Sequence, residues 1–106
     1  MSKSLTITRR ERRPIHPGEV LADILREAGV SSHAAALAMR IPANRLTTIV
    51  KGQRSVTADT AMRLARYFGN SAQFWLNLQL RYDLQAAEGE LSQRIASEVQ
   101  PLGRLA

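Results

Sequence analysis

From Pro17 onward the apolar positions recur at helical spacing. Val20, Leu21, Ile24, Leu25 and Ala28 share one face. Pro17 suits the first helical position, Glu19 complements the positive helix end and Gly29 is a stop. His16 stands at the cap, in a capping or packing role. Ser31 caps a second, short helix running to about Met39, where Ala34, Ala35, Ala36 and Ala38 leave room for close packing. Proline disfavours the helical conformation in the residue before it, so Ile41-Pro42 marks a break. A third helix follows from Ala43 to Lys51, ended by Gly52, and Gln53-Arg54-Ser55-Val56 is a loop. Thr57 caps a fourth helix with Ala61, Leu64, Ala65 and Phe68 as its buried stripe and Gly69 at its close. Ser71 caps a fifth, from Ala72 to about Ala87. Leu91, Ile95 and Val99 mark a weaker amphipathic stretch, a sixth helix before Pro101. No strand signal competes, and the expected class is all-α.

A length of 106 residues is enough for one small domain. Hydrophobic residues make up 44% and charged residues 23%, an ordinary globular balance. No apolar run approaches the roughly 20 residues of a membrane-spanning helix. The segment MSKSLTITRRERR lacks the apolar block of a secretory leader, so a cytoplasmic location is expected. The absence of cysteine removes disulfides, thiol catalysis and sulfur-ligated zinc. His16 and His33, the only histidines, leave little for a metal site or a histidine-based catalytic set. The expectation is a protein that is not an enzyme, with no cofactor, no metal, no membrane and no small-molecule substrate.

The net charge is +6, and its placement is informative. No acid occurs from Ala28 to Ala58, where Arg40, Arg45, Lys51 and Arg54 all fall. Lys3, Arg9, Arg10, Arg12 and Arg13 form a second cluster, opposed only by Glu11. Focused charge of this kind marks a polyanion-binding surface.

Two short helices joined by a tight turn are the outline of a helix-turn-helix. With Leu46 at the centre of the buried side of the second, Ile49 and Val50 flank it at roughly 100° per residue. Asn44, Thr48 and Lys51 then face outward, with Arg45 and Thr47 at the edges. Asn can make paired hydrogen bonds to adenine, Arg to guanine, and Thr can offer its hydroxyl or its methyl group to thymine. Lys51 and Arg54 are placed for phosphates, which position without reading sequence. Ser32 and His33 open the preceding helix, whose free N–H groups suit anions. Arg40 lies in the turn itself, where a left-handed conformation is costly for arginine. An adjusted turn is therefore expected, with Arg40 pointing to the phosphates. A merely solvated polar face is the alternative reading.

Arg13-Pro14-Ile15-His16-Pro17-Gly18-Glu19, Ile41-Pro42-Ala43-Asn44-Arg45, Gly52-Gln53-Arg54, the run Thr57 to Gly69 and Phe74-Trp75-Leu76-Asn77-Leu78-Gln79 together resemble the HigA (VapI-like) antitoxins, Xre-type helix-turn-helix proteins of bacterial type II toxin–antitoxin modules. The resemblance covers roughly residues 13 to 84. It implies a compact five-helix Xre/lambda-repressor-like domain over residues 14–85; outside it, the missing periodicity of residues 1–13 predicts a basic, mobile arm, and the weak amphipathic spacing after residue 85 predicts a helical tail over 86–106. It further implies a homodimer on a palindromic operator in its own promoter, and a RelE-like, mRNA-cleaving toxin held inactive. Under it Asn44, Arg45, Thr47 and Thr48 take the base-reading role, and Ser32, Lys51 and Arg54 the phosphate role.

Phe74, Trp75, Leu76, Leu78, Leu80, Tyr82 and Leu84 wrap around more than one narrow stripe of the fifth helix, leaving an apolar patch that fits an interface. Phe74, Trp75, Leu78 and Tyr82 are the expected dimer contacts. In the alternative, the tail folds back over this surface. Two competing functions are an Xre-type repressor without a toxin and a protein-binding module with a vestigial helix-turn-helix.

Overall fold

The computed structural model describes residues 13–103. The expected arm, with Lys3, Arg9, Arg10 and Arg12, lies outside the described residues. Among these the secondary structure is five helices and no strand: α1 Pro17–Ala28, α2 Ser32–Met39, α3 Ala43–Val50, α4 Ala58–Phe68 and α5 Ala72–Glu98.

The caps follow local chemistry. Ser31 Oγ accepts from the Ala34 N–H at 3.1 Å, and Ser71 Oγ from the Phe74 N–H at 3.0 Å. His16 caps α1, its Nδ1 accepting from the Gly18 N–H at 2.9 Å. Gly29 is left-handed (φ 70°), with the Gly29 and Val30 N–H groups bonded to the Arg26 and Leu25 carbonyls.

Arg40 departs from expectation. It adopts the same left-handed conformation, φ 58° and ψ 42°, and the turn is not adjusted to avoid it. The Arg40 and Ile41 N–H groups bond the Leu37 and Ala36 carbonyls at 3.2 and 2.9 Å. Ile41 is buried beside Ala36. Satisfied carbonyls and a buried isoleucine offset the roughly 1–2 kcal/mol cost of left-handed arginine.

Leu21, Leu25, Ala35, Ala36, Met39, Ile41, Leu46, Ile49, Val56, Ala61, Leu64 and Trp75 form the core. Fully burying one of the larger aliphatic side chains among them contributes about 1.5–3 kcal/mol. Ala28, Ala34 and Ala38, expected to pack, are exposed. Trp75 is also corrected: it is 0% exposed, its Nε1 donating to Asn70 Oδ1 at 2.9 Å, so it belongs to the core and not to a surface contact.

The expected break near Ala87 is absent. α5 runs unbroken for 27 residues, about 40 Å at 1.5 Å per residue. Leu91 and Ile95 continue the same helix, which excludes a tail folded back over it. Gly89 is tolerated inside it, where both backbone hydrogen-bonding neighbours are helical already.

The first turn of α1 packs closely against the end of α3. A Cβ on Gly18 would collide with the Ile49 carbonyl oxygen and stand 2.9 Å from that of Val50. Only hydrogen fits there. Beside it the buried His16 ring meets Tyr82 edge-on at 4.8 Å between centroids. Burial pushes the His16 pKa below its usual 6.5, outweighing the opposing pull of the Arg54 carbonyl, Asp83 and Glu19.

Two outcomes follow from this junction. Gly18→Ala should destabilise the fold by about 2–3 kcal/mol in a urea melt, because the helices must separate to admit the methyl group. Below about pH 6.5 the unfolded chain protonates His16 before the folded chain does. Stability is therefore full above that pH and declines as pH falls below it. Urea midpoints at pH 7.5 and 5.5 should differ more for the wild type than for His16→Gln.

Candidate nucleic-acid interface

The two sides of α3 are chemically distinct. Leu46 and Ile49 are 0% exposed and point into the core. Asn44 and Lys51 are exposed, while Arg45, Thr47 and Thr48 are half-buried at the surface. The face expected to turn outward does so, and nothing among the described residues covers Asn44 or Lys51.

The hydroxyls of that face are partly committed. Thr47 Oγ1 donates to the Ala43 carbonyl at 2.9 Å, and Thr48 Oγ1 to the Asn44 and Arg45 carbonyls at 2.8 and 2.9 Å. With their protons directed back to the helix, the threonines present lone pairs and methyl groups outward. Such a surface accepts from a base amino group or packs on a thymine methyl.

Arg45 reaches across to α4. Its Nη1 stands 3.6 Å from Asp59 Oδ2, and the side chain remains 34% exposed. Arg45, Arg54, Ser55, Thr57, Asp59 and Thr60 line one cleft of about 340 Å³. The structure thus joins a base-reading candidate with a phosphate candidate. Ser32, His33 and Arg40 lie on α2 and its turn and do not line that cleft, with Ser32 half-buried and the other two exposed. At that helix start Ser31 Oγ serves only the Ala34 N–H.

The loop after α3 is held from below. The Val56 N–H donates to Gln79 Oε1 at 2.8 Å, and Gln79 Nε2 donates to Asp83 Oδ1 at 2.9 Å. Val56 is buried, so Arg54 projects from an anchored segment. The sequence reading missed Gln79 and Asp59. Each acts on a residue far along the chain, and a glutamine or aspartate on a helix carries no local signal of that contact.

On α5, Phe74 is 40% exposed, and Leu78 and Tyr82 are half-buried. A separate stripe, Leu80, Leu84, Leu91 and Ile95, is exposed on the side away from Trp75 and Gln79. Arg13, placed with the basic arm, forms a two-pronged ion pair with Glu19, at 2.9 and 3.1 Å. This pairing holds the Glu19 carboxyl below its ordinary range.

Among the described residues no three His, Cys, Asp or Glu side chains gather as a metal site, and no helix is long and apolar enough to cross a membrane.

No protein-family model matches the chain. It is 49% identical over 86 residues to virulence-associated protein I of Dichelobacter nodosus, spanning 80% of each. The fold superposes with TM-score 0.79 on an addiction module antidote protein of the HigA family from Coxiella burnetii, at 49% identity over 84% of this chain and 98% of that one. Antitoxin HigA of Pseudomonas aeruginosa, solved with the higBA promoter, matches with TM-score 0.81 and 47% identity, over 85% of this chain and 99% of that one. The two solved relatives are antitoxins, which are not enzymes. With nearly half of the residues shared along almost the whole of these proteins, the helix-turn-helix chain described here belongs to the HigA family of Xre-type antitoxins.

Proposed function

We propose that the protein binds a palindromic operator in its own promoter as a homodimer, represses its operon and neutralises a RelE-like, mRNA-cleaving toxin. The observation that carries the DNA-binding part is the outer face of α3, polar and cationic, set on a core-packed helix. The likeness to an antitoxin solved on promoter DNA supports it. Asn44, Arg45, Thr47 and Thr48 read bases. Ser32, His33, Arg40, Lys51 and Arg54 contact phosphates. Membership of the family supports the toxin partner and the cytoplasmic location in this reading.

Dimerisation through α5 is supported by its exposed apolar side chains. Phe74, with the half-buried Leu78 and Tyr82, lies on one flank, and the exposed Leu80, Leu84, Leu91 and Ile95 stripe lies on a separate side of the helix. The two copies of α3 then enter successive major grooves, about 34 Å apart.

Duplex DNA taken from upstream of the gene tests this reading. Asn44→Ala and Arg45→Ala should each weaken binding about 10- to 100-fold with unchanged melting temperature. Lys51→Ala and Arg54→Ala should lower affinity for all sequences and each reduce the salt slope by about one. Wild-type affinity should fall steeply between about 50 and 200 mM salt, and a flat response contradicts phosphate contact.

Light scattering during size exclusion should give a dimer at micromolar concentration, and Leu84→Glu should shift it to monomer and weaken operator binding. A wild-type monomer overturns the two-fold arrangement. Co-purification with the product of the adjoining gene tests the antitoxin role, and failure leaves repression alone.

A further inference from the structure

We infer that Asp59 is a specificity-determining residue that acts through Arg45. This positioning role rests on Arg45 reading a base, as proposed above. Asp59 is the first acid after the acid-free segment that contains the outer face of α3. It sits in the first turn of α4, yet its Oδ2 is 3.6 Å from Arg45 Nη1. Its other oxygen accepts from Arg63 Nε at 3.1 Å. Arg63 in turn donates from Nη1 to the Met39 carbonyl at 3.2 Å, at the end of α2. One chain of charges therefore runs from the end of α2, through α4, to the recognition face of α3.

This chain does little for stability, because Asp59 is 60% exposed and its partners are 34% and 42% exposed. For DNA affinity the carboxylate is unfavourable, since it adds negative charge beside a surface that faces phosphates. Its benefit lies in direction. An unrestrained arginine samples many rotamers and is satisfied by any nearby phosphate. Asp59 holds Arg45 electrostatically, and Arg63 holds Asp59, so the guanidinium is restricted before a base arrives. At 3.6 Å the pair lies beyond hydrogen-bond length, which leaves the donor fork of Arg45 free for the paired acceptors of a guanine. Arg54 lines the same cleft and stays available for phosphate.

The test uses duplexes selected by the full-length wild type from a randomised pool, then every single-base variant of the selected site. Arg45→Ala should flatten base preference at one position per half-site. Asp59→Asn should weaken that same preference about two- to fivefold, with other positions, the melting temperature and affinity for unselected DNA undiminished. Asp59→Glu should restore part of the preference, and Asp59→Asn should add nothing in the Arg45→Ala background. An Asp59→Asn profile that superimposes on the wild type overturns the inference while base reading by Arg45 stands. So does a loss spread equally over all positions and unselected DNA. No loss of preference in Arg45→Ala removes the reading by Arg45, and the role of Asp59 with it. If the wild type selects no sequence, operator binding itself fails.

Discussion

The contact between the first turn of α1 and the last carbonyls of α3 sets the arrangement on which the rest of the molecule depends. A hydrogen on Gly18 is all that the Ile49 and Val50 carbonyls permit. The helix that faces outward is thereby held by backbone against backbone, with less freedom than two layers of side chains would leave. His16 fills the adjacent space, caps α1 and touches Tyr82 of α5, so one residue ties three parts of the fold together. Gln79 does the same for the following loop by bonding the Val56 amide. The C-terminal end of α3 and its loop are fastened at several points, and Asn44, Arg45 and Lys51 project from a fixed base.

This fastening separates two tasks along one eight-residue helix. Leu46 and Ile49 supply core burial, and their removal would act on stability. Asn44 and Lys51 are exposed, so their truncation would spare the core. Arg45 lies between these extremes, half-buried and paired with a carboxylate on a neighbouring helix. Thr47 and Thr48 return their hydroxyl protons to their own helix, an arrangement that satisfies them before any ligand arrives.

The elements that were legible in the sequence are those governed by neighbouring residues. Ser31, Ser71, Pro17 and Gly29 act within one turn, and the helices start and stop where these residues dictate. Spacing also located the inner face of α3, since Leu46, Ile49 and Val50 define it alone. Arg40 was misread because the local penalty for left-handed arginine ignores Ile41, whose burial secures the turn. Trp75 was misread because an aromatic residue on an apolar helix fits a surface and a core equally well until its neighbours are known. The continuity of α5 past Gly89 was missed for a related reason, as a single glycine lowers helix preference without breaking hydrogen bonding. Asp59 and Gln79 lay beyond local reading altogether: their partners are set by how α4 and α5 cross the rest of the chain.

The far end of α5 extends this logic in another direction. Every residue from Glu88 to Glu98 is exposed, so these turns satisfy their own backbone but receive no burial from their own chain. Short helical segments without packing are marginal in water. Whatever lies along Leu91 and Ile95 therefore adds its affinity directly to the order of those turns. A partner seated along this extremity would steady its helix, and that gain would rise with the partner's concentration.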